Sequence, residues 1–158
     1  TIPSEYILMN HFLGIKEEKL EKKLAAYIKK KQNPDGGWPL FWNGDSNIST
    51  SVKAYYALKL AGEKKSSKCM LRAKKKILDL GGPGNCNVFT KISLALFGQI
   101  PWKKIPSMPV EIMSLPTWFP FHINKISYWS RTVVVPLLII LDKKLLISFL
   151  DWKIKFCK

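Results

Sequence analysis

The stretch Tyr27-Ile-Lys-Lys-Lys-Gln-Asn-Pro-Asp-Gly-Gly-Trp38 carries two signals in a dozen residues. Up to Gln32 it is the end of a helix, because Leu20, Leu24, Tyr27 and Ile28 recur at spacings of four, three and one, as one helical face does. Pro34, Gly36 and Gly37 then stop that helix. Trp38 follows at once, in Trp-Pro-Leu-Phe-Trp, which is too apolar for a free loop. A glutamine beside the break and an indole just beyond it predict a rigid corner. In such a corner the Gln32 amide bonds backbone groups left open at helix ends, and Trp38 lies over it. The alternative reading of the same residues is an ordinary helix stop with a surface tryptophan.

On either side of this corner the chain reads as helices joined by Gly-rich turns. A first helix is expected over 4–13, with Ser4 as N-cap and Gly14 as C-cap, and a second over 17–31 with a charged solvent face. After the loop 33–47, Ser49 or Thr50 is the expected cap of a third helix ending at Gly62. Its residues Val52, Tyr55, Tyr56 and Leu58 to Leu60 are broadly apolar, which predicts burial on more than one side. A fourth helix is expected over 67–80, closed by Gly81-Gly82, and a fifth, nearly uncharged, over 88–97. Residues 99–121 carry Pro101, Pro106, Pro109, Pro116 and Pro120, which prevent a long helix. They are also rich in Trp, Met, Ile and Phe, so an ordered crossing segment with short helical turns is expected. The last long helix is expected over 124–141, kinked near Pro136. No stretch alternates with period two, and the fold class is all-α.

Composition narrows the function classes. The chain has 158 residues, enough for one core, and 47% of them are apolar. The formal charge of +15 rests on lysine, since only Arg72 and Arg131 are arginines. Readers of nucleic acid lean on arginine for bidentate contacts, and no basic motif interleaved with aromatics is present, so no nucleic-acid partner is expected. A lysine excess fits a solvated surface, attraction to anionic lipid, or plain codon bias. Cys69, Cys86 and Cys157 have no paired spacing, and His11 and His122 have no partners at ligand spacing, so neither a disulfide framework nor a metal site is expected. Thr1-Ile-Pro-Ser-Glu is not a signal peptide and lacks an initiator methionine, so the chain is expected to begin inside a longer gene product. The longest apolar run, 132–141, holds Pro136 and is shorter than the roughly 20 residues a spanning helix needs.

The order aromatic, aliphatic, Gln, Gly, Trp at Tyr27, Ile28, Gln32, Gly36 and Trp38 resembles the QW motif of triterpene cyclases. Further stretches resemble bacterial squalene–hopene cyclases in the family's own order. They are Val88-Phe-Thr-Lys-Ile-Ser-Leu-Ala-Leu-Phe-Gly98, Ile100-Pro-Trp102, Leu115-Pro-Thr-Trp-Phe-Pro-Phe-His-Ile-Asn124 and Tyr128-Trp-Ser-Arg131. The resemblance covers 1–141 and implies a partial α/α-toroid of alternating inner and outer helices. The tail, 142–158, departs from it, as a truncated or frame-shifted gene would.

In that family an acid from an Asp-x-Asp-Asp motif protonates a terminal alkene of a linear isoprenoid such as squalene. Aromatic faces then stabilise the migrating cation in a dry cavity. The resemblance implies no metal and no cofactor. Here the aspartates are Asp35, Asp45, Asp79, Asp142 and Asp151, and no two lie within three residues of each other, so the catalytic acid is not among these residues. One wall of a cavity is what the resemblance implies. Trp129 matches a family tryptophan lining the active site, although a core indole on a buried helix is the bland alternative. Glu5 matches a glutamate at the polar end of the cavity, where the alternative is a first-turn acid favoured by the helix dipole. Lys53 and Lys91 stand where the family has an acid and an arginine, and Ser93 where it has a tryptophan. Those departures put the usual product in doubt. The expected partners are the isoprenoid in a complete enzyme, a membrane surface at its cytoplasmic face bound peripherally, and further copies of the chain through exposed apolar surface. A basic helical module that binds anionic membrane without catalysis is the competing reading.

Overall fold

A computed structural model describes residues 1–15, 17–106, 109–120 and 122–143. The expected divergent tail therefore lies outside the described residues from 144 on, as do Met108 and Phe121 of the crossing segment. The described residues are helical, with one isolated bridge between Pro39 and Ser46 and no strand. The helices are α1 (Ile2–Leu13), α2 (Glu18–Lys30), α3 (Ile48–Leu60), α4 (Lys68–Asp79), α5 (Val88–Leu96) and α6 (Tyr128–Lys143). Two compact units share the chain, Thr1–Lys91 and the part from Ile92 on, and each is described by itself.

In the first unit α3 is the central element, packed against α1, α2 and α4. Every residue from Thr50 to Lys59 is buried, Lys53 and Lys59 included, as expected of a broadly apolar helix packed on several sides. The helices around it bury only stripes. On α4 the stripe is Met70, Ala73 and Ile77, at spacings of three and four, while Lys68, Lys74 and Lys75 stay in water. On α2 it is narrower than the sequence implied. Ala25 and Ile28 are buried, but Leu20 and Tyr27 of the expected face are exposed.

Helix ends explain most departures from the expected boundaries. Helix α1 starts at Ile2 rather than at residue 4, because Pro3 fits a first turn, and Ser4 is a buried interior residue rather than the cap. It ends at Gly14, whose φ of 71° is the left-handed conformation a glycine C-cap adopts. The cap of α3 is Asn47, whose Oδ1 accepts from the N–H groups of Ser49 and Thr50. A short amide side chain outcompetes two hydroxyl residues just downstream. Ser67 caps α4 through the Met70 N–H, and Asn87 does so for α5 through the Thr90 N–H at 2.8 Å.

The second unit has its own small core of Ile92, Ala95, Ile105 and Leu141, flanked by Leu96, Trp102, Leu137 and Ile140. As the prolines require, the crossing segment forms short 3-10 turns at Trp102–Lys104 and Val110–Ser114, and the latter packs on α6. A further turn, Ile123–Lys125, takes the place of the expected start of the last helix. That helix begins only at Tyr128, where Ser127 Oγ accepts from the Ser130 N–H.

Candidate functional site

Two constellations in the first unit hold most of the residues singled out from the sequence. The first is the corner after α2. Gln32 is two residues past that helix, and its Nε2 donates to Gly36 O at 2.8 Å and to Cys69 O, in the first turn of α4, at 3.0 Å. Its Oε1 accepts from Arg72 at 3.2 Å. One amide thereby uses both donors and an acceptor to tie the loop and α4 to the end of α2. Trp38 is buried, and its Nε1 donates to Ile28 O at 2.8 Å, one of the carbonyls at the C-terminal end of α2. Its backbone N–H donates to Ser51 Oγ on α3 at 2.9 Å. Gly36 has a φ of 94°, and a Cβ there would meet Arg72 O at 2.7 Å, so glycine alone allows α4 to approach this closely. Tyr27, by contrast, stands at the exposed rim.

Asp35, between the proline and the glycines, contributes more than its place in a turn announced. Its Oδ1 accepts from Ser46 Oγ at 2.7 Å and from the Gly37 N–H at 3.0 Å, and its Oδ2 meets Lys76 Nζ of α4 at 3.0 Å. Partial burial works against the charged form, yet the Ser46 and Gly37 hydrogen bonds and the Lys76 ammonium hold the carboxyl below its ordinary 3.8.

The second constellation joins α1 to α3. Lys53 Nζ donates to Glu5 Oε1 at 2.5 Å; the lysine side chain is 11% exposed and the glutamate 52%. Lys91, at the start of α5, is half-buried and makes no ion pair among the described residues. Both ammoniums act on Cys86, a buried residue that sequence reasoning had set aside. Burial pushes its thiol up to about 11, against the opposing pull of Lys91, Lys53 and a hydrogen bond with Ser49. The structure therefore gathers Glu5, Lys53, Lys91 and Cys86 in one neighbourhood, with a single carboxylate bonded to one of two lysines. Nothing in the spacing of residues 5, 53, 86 and 91 along the chain signals this meeting.

Trp129, in the second unit, is 79% exposed and rests edge-on against Tyr128, with ring centroids 5.9 Å apart. The core-indole alternative is corrected accordingly. Val133 and Ile139 of the same helix are also exposed, as are Val88 and Phe89 at the start of α5. No group of His, Cys, Asp and Glu among the described residues has the arrangement of a metal site. No described helix is long and apolar enough to cross a membrane.

A family model described as the squalene-hopene cyclase N-terminal domain matches residues 1–154. A squalene–hopene cyclase of Zymomonas mobilis is 51% identical over 141 residues, covering 89% of this chain and 21% of the relative. One of Bradyrhizobium diazoefficiens is 48% identical, with coverage of 89% and 21%. A dammaradiene synthase of Dryopteris crassirhizoma is 38% identical, with coverage of 91% and 21%. The chain thus spans about a fifth of the length of these curated relatives. The all-helical architecture agrees with the α/α-toroid N-terminal domain of such cyclases, and the chain belongs to the squalene–hopene cyclase family, of which it carries the N-terminal part.

Proposed function

We propose that this chain contributes one wall and the polar end of the cavity of a squalene–hopene cyclase-like enzyme. The complete enzyme would convert a linear triterpene to polycyclic product by protonating a terminal alkene. The family match over 1–154 carries this reading. Within it, Trp129 offers an indole face to the developing cation, and Glu5, Lys53 and Lys91 surround the place where the last cation loses its charge. The Gln32–Trp38 corner is the QW motif, and its role is to brace the helices behind the cavity. No acid pair of the Asp-x-Asp-Asp kind occurs in the sequence, so these residues alone supply no proton donor and no route to the first cation. Lys53 occupies Glu5, which alters the base available for the final step and hence the product. Gas chromatography of extracts after incubating the purified chain with squalene tests the assignment of the acid. The expected result is unchanged squalene, and any polycyclic triterpene would overturn it.

The partners follow from the surface. The exposed apolar side chains of α5 and α6 support association of the isolated chain with itself. The lysine charge supports peripheral attachment to an anionic membrane at its cytoplasmic face. As a second reading, these same residues form a basic helical module that binds membrane without catalysis.

A further inference from the structure

Glu5, Lys53 and Lys91 all stand in the first two turns of their helices, α1, α3 and α5. Two contacts bring those helix starts together. Glu5 Oε1 accepts from Lys53 Nζ, and Ser49 Oγ, one turn before Lys53 on the same face of α3, accepts from the Asn87 N–H at 2.9 Å. Asn87 in turn lies one turn before Lys91, so each lysine follows a member of that second contact by one helical turn. The positive dipole ends of three helices thereby meet two ammoniums. Glu5 is the one carboxylate in ion-pair reach of either lysine among the described residues, and it is spent on Lys53. Lys91 is half-buried and has no ion pair there. Cys86 beside them holds its proton to about 11, so near pH 7 it adds no balancing charge. The Glu5 side chain is 52% exposed, which leaves the cluster open to solvent. Val88, exposed and one turn before Lys91, puts apolar surface next to the uncompensated ammonium.

We propose that this meeting of helix starts holds an oxyanion at the end of an isoprenoid chain, such as a phosphate, a diphosphate or a carboxylate. Lys91 is its direct ion-pair partner, Lys53 a second donor, and the hydrocarbon next to the head group lies on Val88. The inference rests on the cyclase reading, in which these residues stand at the polar end of the cavity, and it names the substrate class that this end selects. An unbalanced positive charge repels a carbocation arriving there and attracts an anionic substrate end. A pure hydrocarbon leaves Lys91 without a counter-charge in a half-buried place, which is costly. An oxyanion supplies that counter-charge through charge-assisted hydrogen bonds. Glu5 competes with the ligand for Lys53, so removing its charge should help binding, which a merely basic surface also shows only weakly and without any special role for Lys91.

The test is isothermal titration calorimetry of the full chain with farnesyl diphosphate and with inorganic diphosphate. Saturable binding is expected for both, tighter for the farnesyl ester because its chain covers apolar surface. Lys91→Gln should weaken binding of the ester roughly tenfold or more, as loss of one charge-assisted contact does. Lys74→Gln, an equal charge change at an exposed α4 position, should cost clearly less. Glu5→Gln should tighten binding by releasing Lys53 to the ligand, and the ester should then raise that variant's melting temperature more than the wild type's. Circular dichroism checks that the variants fold; if Glu5→Gln does not, the comparison of Lys91→Gln with Lys74→Gln decides alone. No saturable binding of farnesyl diphosphate overturns the proposal, as do equal losses from the two lysine variants or weaker binding by a folded Glu5→Gln chain. Inorganic diphosphate that binds as tightly as the ester assigns the site to free phosphates and also overturns it. All of these outcomes leave the cyclase reading standing; that reading falls instead if a complete enzyme carrying these residues leaves squalene unchanged.

Discussion

Lys53 Nζ on α3 lies 2.5 Å from Glu5 Oε1 on α1, joining a nearly buried ammonium to a half-exposed carboxylate across 48 residues of chain. The lysine has lost most of its water, and this acid is its one ion-pair partner among the described residues. Glu5→Gln should destabilise the chain by about 1–3 kcal/mol, the range for losing a charge-assisted hydrogen bond. Lys53→Met should cost less, because it leaves a half-wet carboxylate rather than a buried cation. In a double-mutant cycle read by urea denaturation, Glu5→Gln should be milder in the Lys53→Met background. Additive losses would show that the two side chains are not coupled.

The corner makes a prediction of its own. Trp38→Phe keeps a ring in the buried site but removes the donor to Ile28 O, for an expected cost of about 1–3 kcal/mol. Gly36→Ala should cost at least about 1–2 kcal/mol from its positive φ, before counting the collision with Arg72 O. Denaturation midpoints check both. A neutral Gly36→Ala would mean that α4 does not press on this loop in solution.

Much of this corner was visible in the sequence, and the reasons are local. Pro34, Gly36 and Gly37 break α2 by their own backbone limits, and Gln32 and Trp38 flank the break at fixed spacing. The partner of Gln32 on α4, Cys69, was not visible, because 37 residues separate the two. Asp35 looked like a turn residue and nothing more, since Lys76 reaches it from α4. Helix existence followed from apolar spacing, whereas helix starts were misjudged wherever several cap-capable residues stood together, as at Asn47, Ser49 and Thr50. The gathering of Glu5, Lys53, Lys91 and Cys86 depends on packing of α1, α3 and α5 residues, and no local signal encodes it.

Asp35 should shape the acid limb of stability. Its folded-state carboxyl lies below the ordinary 3.8, so its contribution is complete above that value and is lost as pH falls through the lower folded value. Asp35→Asn should destabilise the chain near pH 6 and flatten the loss of stability below about pH 4. Urea midpoints from pH 6 downward check this; an Asp35→Asn curve parallel to wild type throughout would contradict it.

Cys86 should be a slow thiol. With its proton held up to about 11 by burial, little thiolate exists at neutral pH. In a Cys69→Ser/Cys157→Ser background, alkylation of Cys86 at pH 7.5 should run at least tenfold slower than that of a small free thiol whose pKa is about 8.5. The rate should approach that of the free thiol on unfolding in urea. Equal rates in the folded chain would show that the two nearby lysines outweigh burial.

The central claim is that this chain serves as the first part of a squalene–hopene cyclase-like enzyme. Exchanging residues 1–141 of this chain for the matched segment of the Zymomonas mobilis relative, within that full-length protein, tests it most directly. The folded chimera, incubated with squalene and analysed by gas chromatography with mass spectrometry, should form polycyclic triterpene, with a product distribution shifted by Lys53 and Lys91. Restoring Glu at position 53 and Arg at position 91 should move that distribution back toward the relative's own. A chimera that folds, by circular dichroism and cooperative melting, and yet leaves squalene unchanged with and without those restorations would contradict the account.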